Sequence, residues 1–192
     1  MEKEFSNSSV RQKKFLFLIW LLVIIGGMIL YLIFPDEINL LFLKELAKEH
    51  HIVVLGIYFL LLSFRGLTMI PSTALLFAGI IIFNPVELFI VNMLGILASS
   101  TIVYYFSKYM GFATYFETKY GKYVQKIRHG LGDNELPIIV GWSFFPFVPT
   151  DLIVYVGSTL GVHIFKCLMG VFIGEATLNV LYILSAYMIL RL

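Results

Sequence analysis

The sequence predicts an all-α integral membrane protein: transmembrane helices plus two inverted re-entrant hairpins of broken helix, together forming an inverted repeat. Three observations predict it. Of the 192 residues, 59% are hydrophobic and 14% charged, and mean hydropathy is +0.90; a soluble domain carries about 25% charged residues. One phrase is written twice, as PSTALLFAG at 71–79 and PTDLIVYVG at 149–157. Each copy opens on Pro (Pro71, Pro149), continues with a hydroxyl residue (Ser72, Thr150), reaches an aromatic residue (Phe77, Tyr155) and ends on Gly (Gly79, Gly157). Each is followed by a long apolar stretch. Pro/Gly-interrupted apolar segments at matching places in two halves point to a transport site between inverted repeats. Helix breaks at bilayer depth are tolerated only where the backbone is buried in protein or lines a wet cavity.

The elements are taken in chain order. Residues 1–14 form a cytoplasmic segment ending in Arg11, Lys13 and Lys14, and 15–34 is an uncharged run of about 30 Å as a helix, the thickness of the hydrocarbon core. It is too long for a signal-peptide core and lacks a cleavage site, so it reads as a retained transmembrane helix. The cation cluster places its N-terminus in the cytoplasm. Residues 36–50 alternate charge with apolar residues and read as an interfacial helix. Repeat 1 spans 52–107. Its apolar run 52–64 is short enough to be re-entrant and leads through Arg65 to the first Pro phrase, closing a hairpin at 52–83. Residues 86–107 are long enough to span, with Gly95, Ala98, Ser99 and Ser100 suited to close packing. Residues 108–135, rich in Lys and in aromatics at helical spacing, read as a basic amphipathic cytoplasmic segment. Repeat 2, at 137–192, has a hairpin at 137–160, centred on FFPFVP, and a last span at 164–190. Hairpin one then dips in from outside and hairpin two from inside.

A net charge of +2 without a long basic run excludes a nucleic-acid partner. The single Cys167 excludes an internal disulfide. No metal-ligand spacing or phosphate-binding Gly loop occurs, so no cofactor, metal or enzyme activity is expected. The candidates are ionisable residues in or near apolar segments, where a charge costs at least about 2.5–3.5 kcal/mol and is usually paired or functional. Arg65, in the mouth of hairpin one, is either a phosphate-binding guanidinium or a snorkelling cap. Asp151 is either ordinary helix-start chemistry or the partner of Arg65 across the hairpin tips, or a proton carrier. Glu175, deep in the last span, is a proton-coupling candidate or a carboxyl bonded to Asn92, Ser99 or Ser100. Glu87 is a weaker proton-coupling candidate at a helix start. The substrate-binding set is Arg65, Pro71, Ser72, Gly79, Pro146, Pro149, Thr150, Asp151 and Gly157.

Three stretches carry a family resemblance: FRGLTMIPSTALLFAG, LGILASSTIVYYFSKYMG and FFPFVPTDLIVYVG. From about Ser63 to Gly161 the chain resembles the DedA superfamily, also called the VTT-domain or SNARE-associated Golgi protein family, on its short bacterial branch. The middle stretch is similar to a small-residue helix ending in Tyr105, Lys108 and Gly111, and the last to a P-x-x-P-x-D hairpin through Pro146, Pro149 and Asp151. The resemblance implies two re-entrant hairpins facing each other from opposite leaflets. It also implies movement of lipids, such as undecaprenyl phosphate or phospholipid, across a bacterial plasma membrane, with dependence on the proton gradient. It carries the hairpin-one Arg onto Arg65 and the hairpin-two acid onto Asp151. The chain departs from the pattern at Ser143, where members commonly have a second Arg. The rival expectations are a proton- or cation-coupled small-solute transporter and a non-transporting homeostasis or assembly factor.

Overall fold

The computed structural model describes residues 40–190 apart from positions 69 and 147. The segment expected at 1–14, the helix expected at 15–34 and the first residues of the interfacial helix at 36–50 lie outside the described residues. The chain divides into two units, Met1–Leu43 and Lys44–Leu192; the second contains both copies of the repeated phrase.

The elements are α1 (Leu40–Glu49), α2 (His51–Thr68), α3 (Ser72–Ile82), α4 (Pro85–Met110), α5 (Phe112–Leu131), a 3-10 turn (Gly132–Asn134), α6 (Glu135–Ser143), α7 (Thr150–Leu160) and α8 (Ile164–Leu190). Among the described residues there is no strand. Helices α2, α4 and α8 are long and apolar enough to cross a membrane, and their outer faces expose Ile52, Ile57, Leu61, Ile90, Leu94, Leu181 and Leu184. A continuous apolar exterior of this kind suits a lipid solvent and is unfavourable in water. The molecule is an all-helical membrane protein.

Local chemistry sets the helix ends. Helix α4 begins with Asn84, whose side chain accepts from the Glu87 N–H, and with Pro85 in the first turn, where a missing N–H costs nothing. It ends at Gly111, whose φ of 72° is a left-handed cap. The segment expected as one basic helix at 108–135 therefore divides at Gly111. Its first residues complete α4, and α5 follows with a kink at Tyr120. Helix α6 starts at Glu135, two residues before Pro137, which falls in its first turn.

Both halves share one plan. In the first, His51 meets Glu87 at 2.6 Å, Tyr58 bonds Asn92 and the Gly66 N–H bonds Ser99, so α2 and α4 run parallel. Helix α3 brings the chain back until Phe83 packs beside His51. In the second, Lys166 pairs with Glu135 at 2.7 Å and Gly170 and Gly174 back onto Ile139 and Ser143, so α6 and α8 run parallel while α7 returns. The halves themselves are opposed: Tyr187 bonds the Phe83 carbonyl, Asn92 bonds Asn179 and Tyr104 bonds the Val162 carbonyl. Helices α4 and α8 are thus antiparallel.

The first limb is longer than the apolar run 52–64. Helix α2 continues through Arg65 to Thr68, about 27 Å at 1.5 Å per residue, because the charge that ends the apolar run is neutralised within the protein. Two apolar cores flank the breaks. One gathers Tyr58, Leu62, Leu76, Ile80, Phe83 and Leu88 around hairpin one, and the other gathers Ile96, Val103, Ile139, Val154, Cys167 and Val171 around hairpin two. Gly95 lets α2 approach α4: a Cβ there would stand 2.5 Å from Leu62 Cβ. Gly95→Val is therefore expected to destabilise by about 1–3 kcal/mol through overpacking, read as a lower melting temperature in detergent. An unchanged melting temperature would contradict the packing.

Candidate functional site

Between the two cores lies a belt of buried polar residues contributed by every element that the hairpins bring inward. Arg65 sits in the last turn of α2 and Asp151 in the first turn of α7, positions where each charge suits its helix dipole. They meet at 2.7 Å, Nη1 to Oδ2, with side chains 1% and 0% exposed. Nη1 also donates to the Ile70 carbonyl at 3.0 Å, tying the guanidinium to the backbone at the break. The other carboxyl oxygen, Oδ1, accepts from the Ser99 hydroxyl at 3.0 Å, and Ser99 in turn accepts the Gly66 N–H. A Cβ at Gly66 would fall 2.5 Å from Asp151 Oδ1, so glycine there lets α2 close on the pair. The Nε and Nη2 atoms of Arg65 are buried and have no partner among the described residues.

A second cluster adjoins the first. Pro71 and Pro149 take the N-cap positions of two helices of 11 residues. The residues that follow them, Ser72 and Thr150, both donate to Glu175 Oε1: Ser72 at 3.1 Å and Thr150 through a short hydrogen bond. The repeated phrase thus delivers both of its hydroxyls to one carboxyl on α8. Asn179, one turn on, donates to Glu175 Oε2 at 3.3 Å and accepts from Asn92, whose Oδ1 accepts from the Tyr58 hydroxyl at 3.0 Å. Five helices, α2, α3, α4, α7 and α8, are joined through this chain, and all its members are buried.

Arg65, Ser72, Thr150, Asp151 and Glu175 therefore come together, with Pro71 and Pro149 at their edge. The other candidates stand apart. Gly79 is on the far turn of α3, where a Cβ would meet Tyr58 Oη at 2.8 Å. Gly157 packs against Cys167. Pro146 is half-buried in the loop between α6 and α7. Glu87 lies at the other end of α4, bonded to Asn84 and His51. The expected partners of Glu175 also change: Ser99 serves Asp151, Asn92 reaches Glu175 only through Asn179, and the Ser100 hydroxyl has no partner among the described residues. Tyr58 and Asn179 were not anticipated; the signal for Asn179 was an amide four residues after Glu175 in an apolar helix. Ser143 is 1% exposed, its hydroxyl without a partner among the described residues, and Gly174 backs onto it.

Chemically, the arrangement is a buried ionic and hydrogen-bonded junction joining both hairpins to α4 and α8. It offers the Nε–Nη2 edge of one guanidinium, and its two carboxyls are those of Asp151 and Glu175.

The VTT domain profile matches residues 70–188. No curated protein and no solved structure matches the chain. The profile begins after Arg65 and covers α3, α4, α7 and most of α8, which carry Ser72, Ser99, Thr150, Asp151 and Glu175, and the chain belongs to the VTT-domain family, that of the DedA and SNARE-associated Golgi proteins.

Proposed function

We propose that this protein is a lipid transporter, a flippase or scramblase of the DedA type, that moves a phosphate-bearing lipid such as undecaprenyl phosphate or a phospholipid across a bacterial plasma membrane. The observation that carries the reading is the Nε–Nη2 edge of Arg65. Asp151 engages only Nη1, so the edge that can grip a phosphate through two parallel hydrogen bonds is unengaged at the junction of both hairpins. A headgroup would sit there while its tails stay in the bilayer. Ser143 supplies a hydroxyl where a second guanidinium is common in the family, so a single Arg does the gripping. Glu175, held by both hairpins, is the residue for coupling to the proton gradient.

On this reading the hairpins are re-entrant and the halves form an inverted repeat, supported by the parallel pairing within each half and the antiparallel course of α4 and α8. The N-terminus is cytoplasmic because Arg11, Lys13 and Lys14 flank it, and α5 because Lys119, Lys122, Lys126 and Arg128 cluster on it, next to Lys108 at the end of α4. Single cysteines introduced between 117 and 128 in a Cys167→Ser background are expected to resist an impermeant reagent added outside; labelling from outside would invert the topology.

The functional test is translocation in proteoliposomes loaded with undecaprenyl phosphate and a labelled phospholipid, with and without a pH gradient. Arg65→Lys keeps a cation beside Asp151 but lacks the fork, so it is expected to fold and to lose at least tenfold in rate, and Arg65→Ala to be inactive. Movement of the polyprenyl phosphate alone would mark a carrier-lipid flippase, and equal movement of both a scramblase. Full rates in Arg65→Lys would refute the site. Movement of neither lipid by folded wild type would favour solute transport or an assembly role.

A further inference from the structure

Away from the polar belt, a groove of about 380 Å³ opens between α5, α6 and α7. Ile127 and Gly130 of α5 form one wall, Ile138 and Trp142 of α6 the second, and Ile153 and Val156 of α7 the floor. Its lining is almost wholly apolar. Helix α5 is held over α7 by Arg128, whose Nε donates to the Leu160 carbonyl at 3.0 Å. Gly130 is part of the lining, and a Cβ there would meet nothing within 4 Å, so a larger side chain can be accommodated at that position.

We propose that this groove is a binding site for one acyl chain of an anionic phospholipid whose headgroup rests on the cations of α5. Two features argue for that occupant. The lining residues Ile138, Trp142 and Val156 are themselves exposed, apolar surface that in a membrane protein meets lipid, so a chain from the bilayer enters the groove without crossing water. Lys122 and Lys126 stand exposed on α5, eight and four residues before Gly130 of the lining and so on the same stripe of the helix, while Glu117 on the same helix is held by Arg128 at 2.8 Å. An anionic headgroup at the interface is attracted by nearby Lys and Arg, whereas a zwitterionic one carries no net charge for the lysines to attract. Convex flanks of single helices take passing lipid of any kind; a walled groove with a charged lip selects. The site is independent of Arg65 and of whether lipid is translocated.

The groove contains its own reporter. The sequence has two tryptophans, Trp20 and Trp142, so Trp20→Phe leaves Trp142 in the groove wall as the one indole. The full chain carrying that change would be reconstituted into phosphatidylcholine vesicles containing a small fraction of dibrominated phosphatidylglycerol or, in parallel, dibrominated phosphatidylcholine. Bromine quenches on contact. The expected result is at least threefold stronger quenching by the anionic lipid at equal mole fraction, lost both in Lys122→Gln/Lys126→Gln and in Gly130→Leu, which fills the groove where space is open. Equal quenching by the two lipids would reduce the groove to ordinary annular contact and overturn the proposal. Selective quenching that persists in Gly130→Leu would place the anionic lipid outside the groove and also overturn it. So would a Trp142 shielded from both lipids in a cross-linkable dimer, which would make the occupant a second copy of the chain.

Discussion

Asp151→Ala is expected to lose most of the folded protein. The substitution leaves the buried Arg65 guanidinium without its ion-pair partner, and it also takes the acceptor from the Ser99 hydroxyl. Removing one partner of a buried pair costs about 3–5 kcal/mol, a large share of the stability of a typical domain. The informative comparison is the double substitution Arg65→Met/Asp151→Leu. Replacing both charges by apolar residues of similar volume is often neutral or stabilising, so the double variant is expected to recover much of the monodisperse yield and melting temperature lost in Asp151→Ala, and to remain inactive in translocation. Recovery of fold without activity would separate the two roles of the pair: each charge needs the other to be buried, and the guanidinium is needed for something besides stability. If Asp151→Ala were as stable as wild type, the pair would carry no structural weight. If the double variant transported lipid, the phosphate-binding reading of Arg65 would fail.

The sequence made some of this legible for a physical reason. Arg65 and Asp151 stood out because a charge in an apolar segment is expensive, and both adjoin helix breaks marked by Pro. Their pairing across 86 positions of chain was one of the alternatives, since two opposite charges at facing hairpin tips neutralise each other. The doubled phrase exposed Ser72 and Thr150 by position. Their common acceptor was hidden, because it depends on how α8 is rotated against both short helices, and a helix apolar on every face carries no periodic signal of rotation. The same gap assigned Glu175 the wrong partners on α4. Gly79 and Gly157 were equally visible as a repeat, yet seven residues past Ser72 or Thr150 a residue lies about 10 Å further along the helix, and there glycine serves contact with Tyr58 or Cys167. The length of α2 was obscured by Arg65 itself, whose charge closes the apolar run in sequence and is cancelled by a residue of the other half in the fold.

Glu175→Gln and Glu175→Leu are expected to divide structure from coupling at the second cluster. The amide oxygen of Gln can accept from Ser72 and Thr150 as Oε1 does now, while the contacts at Oε2, 3.3 Å from Asn179 and a second, 3.4 Å one from Ser72, meet a donor in place of an acceptor. The loss is that of ordinary hydrogen bonds, about 1 kcal/mol each. Leu instead leaves the hydroxyls of Ser72 and Thr150 and part of the Asn179 amide buried without an acceptor, at about 1–3 kcal/mol for each unsatisfied group, and cuts the one connection in which both hairpins bond the same side chain of α8. Glu175→Leu is therefore expected to show a markedly lower melting temperature and little translocation under any condition. Glu175→Gln is expected to fold and to move lipid at a rate that no longer responds to a pH gradient, because the carboxyl is the group in this cluster able to take up and release a proton, with Arg65 and Asp151 as the charges acting on it. Comparing rates with and without a gradient in the same vesicles reads this directly: a ratio near that of wild type in Glu175→Gln would remove Glu175 from coupling and leave it a structural tie between the hairpins. A ratio near unity with an intact fold would locate coupling at the residue that holds both half-helices, so that a proton arriving at Glu175 changes the hydrogen bonds of the two hairpins together.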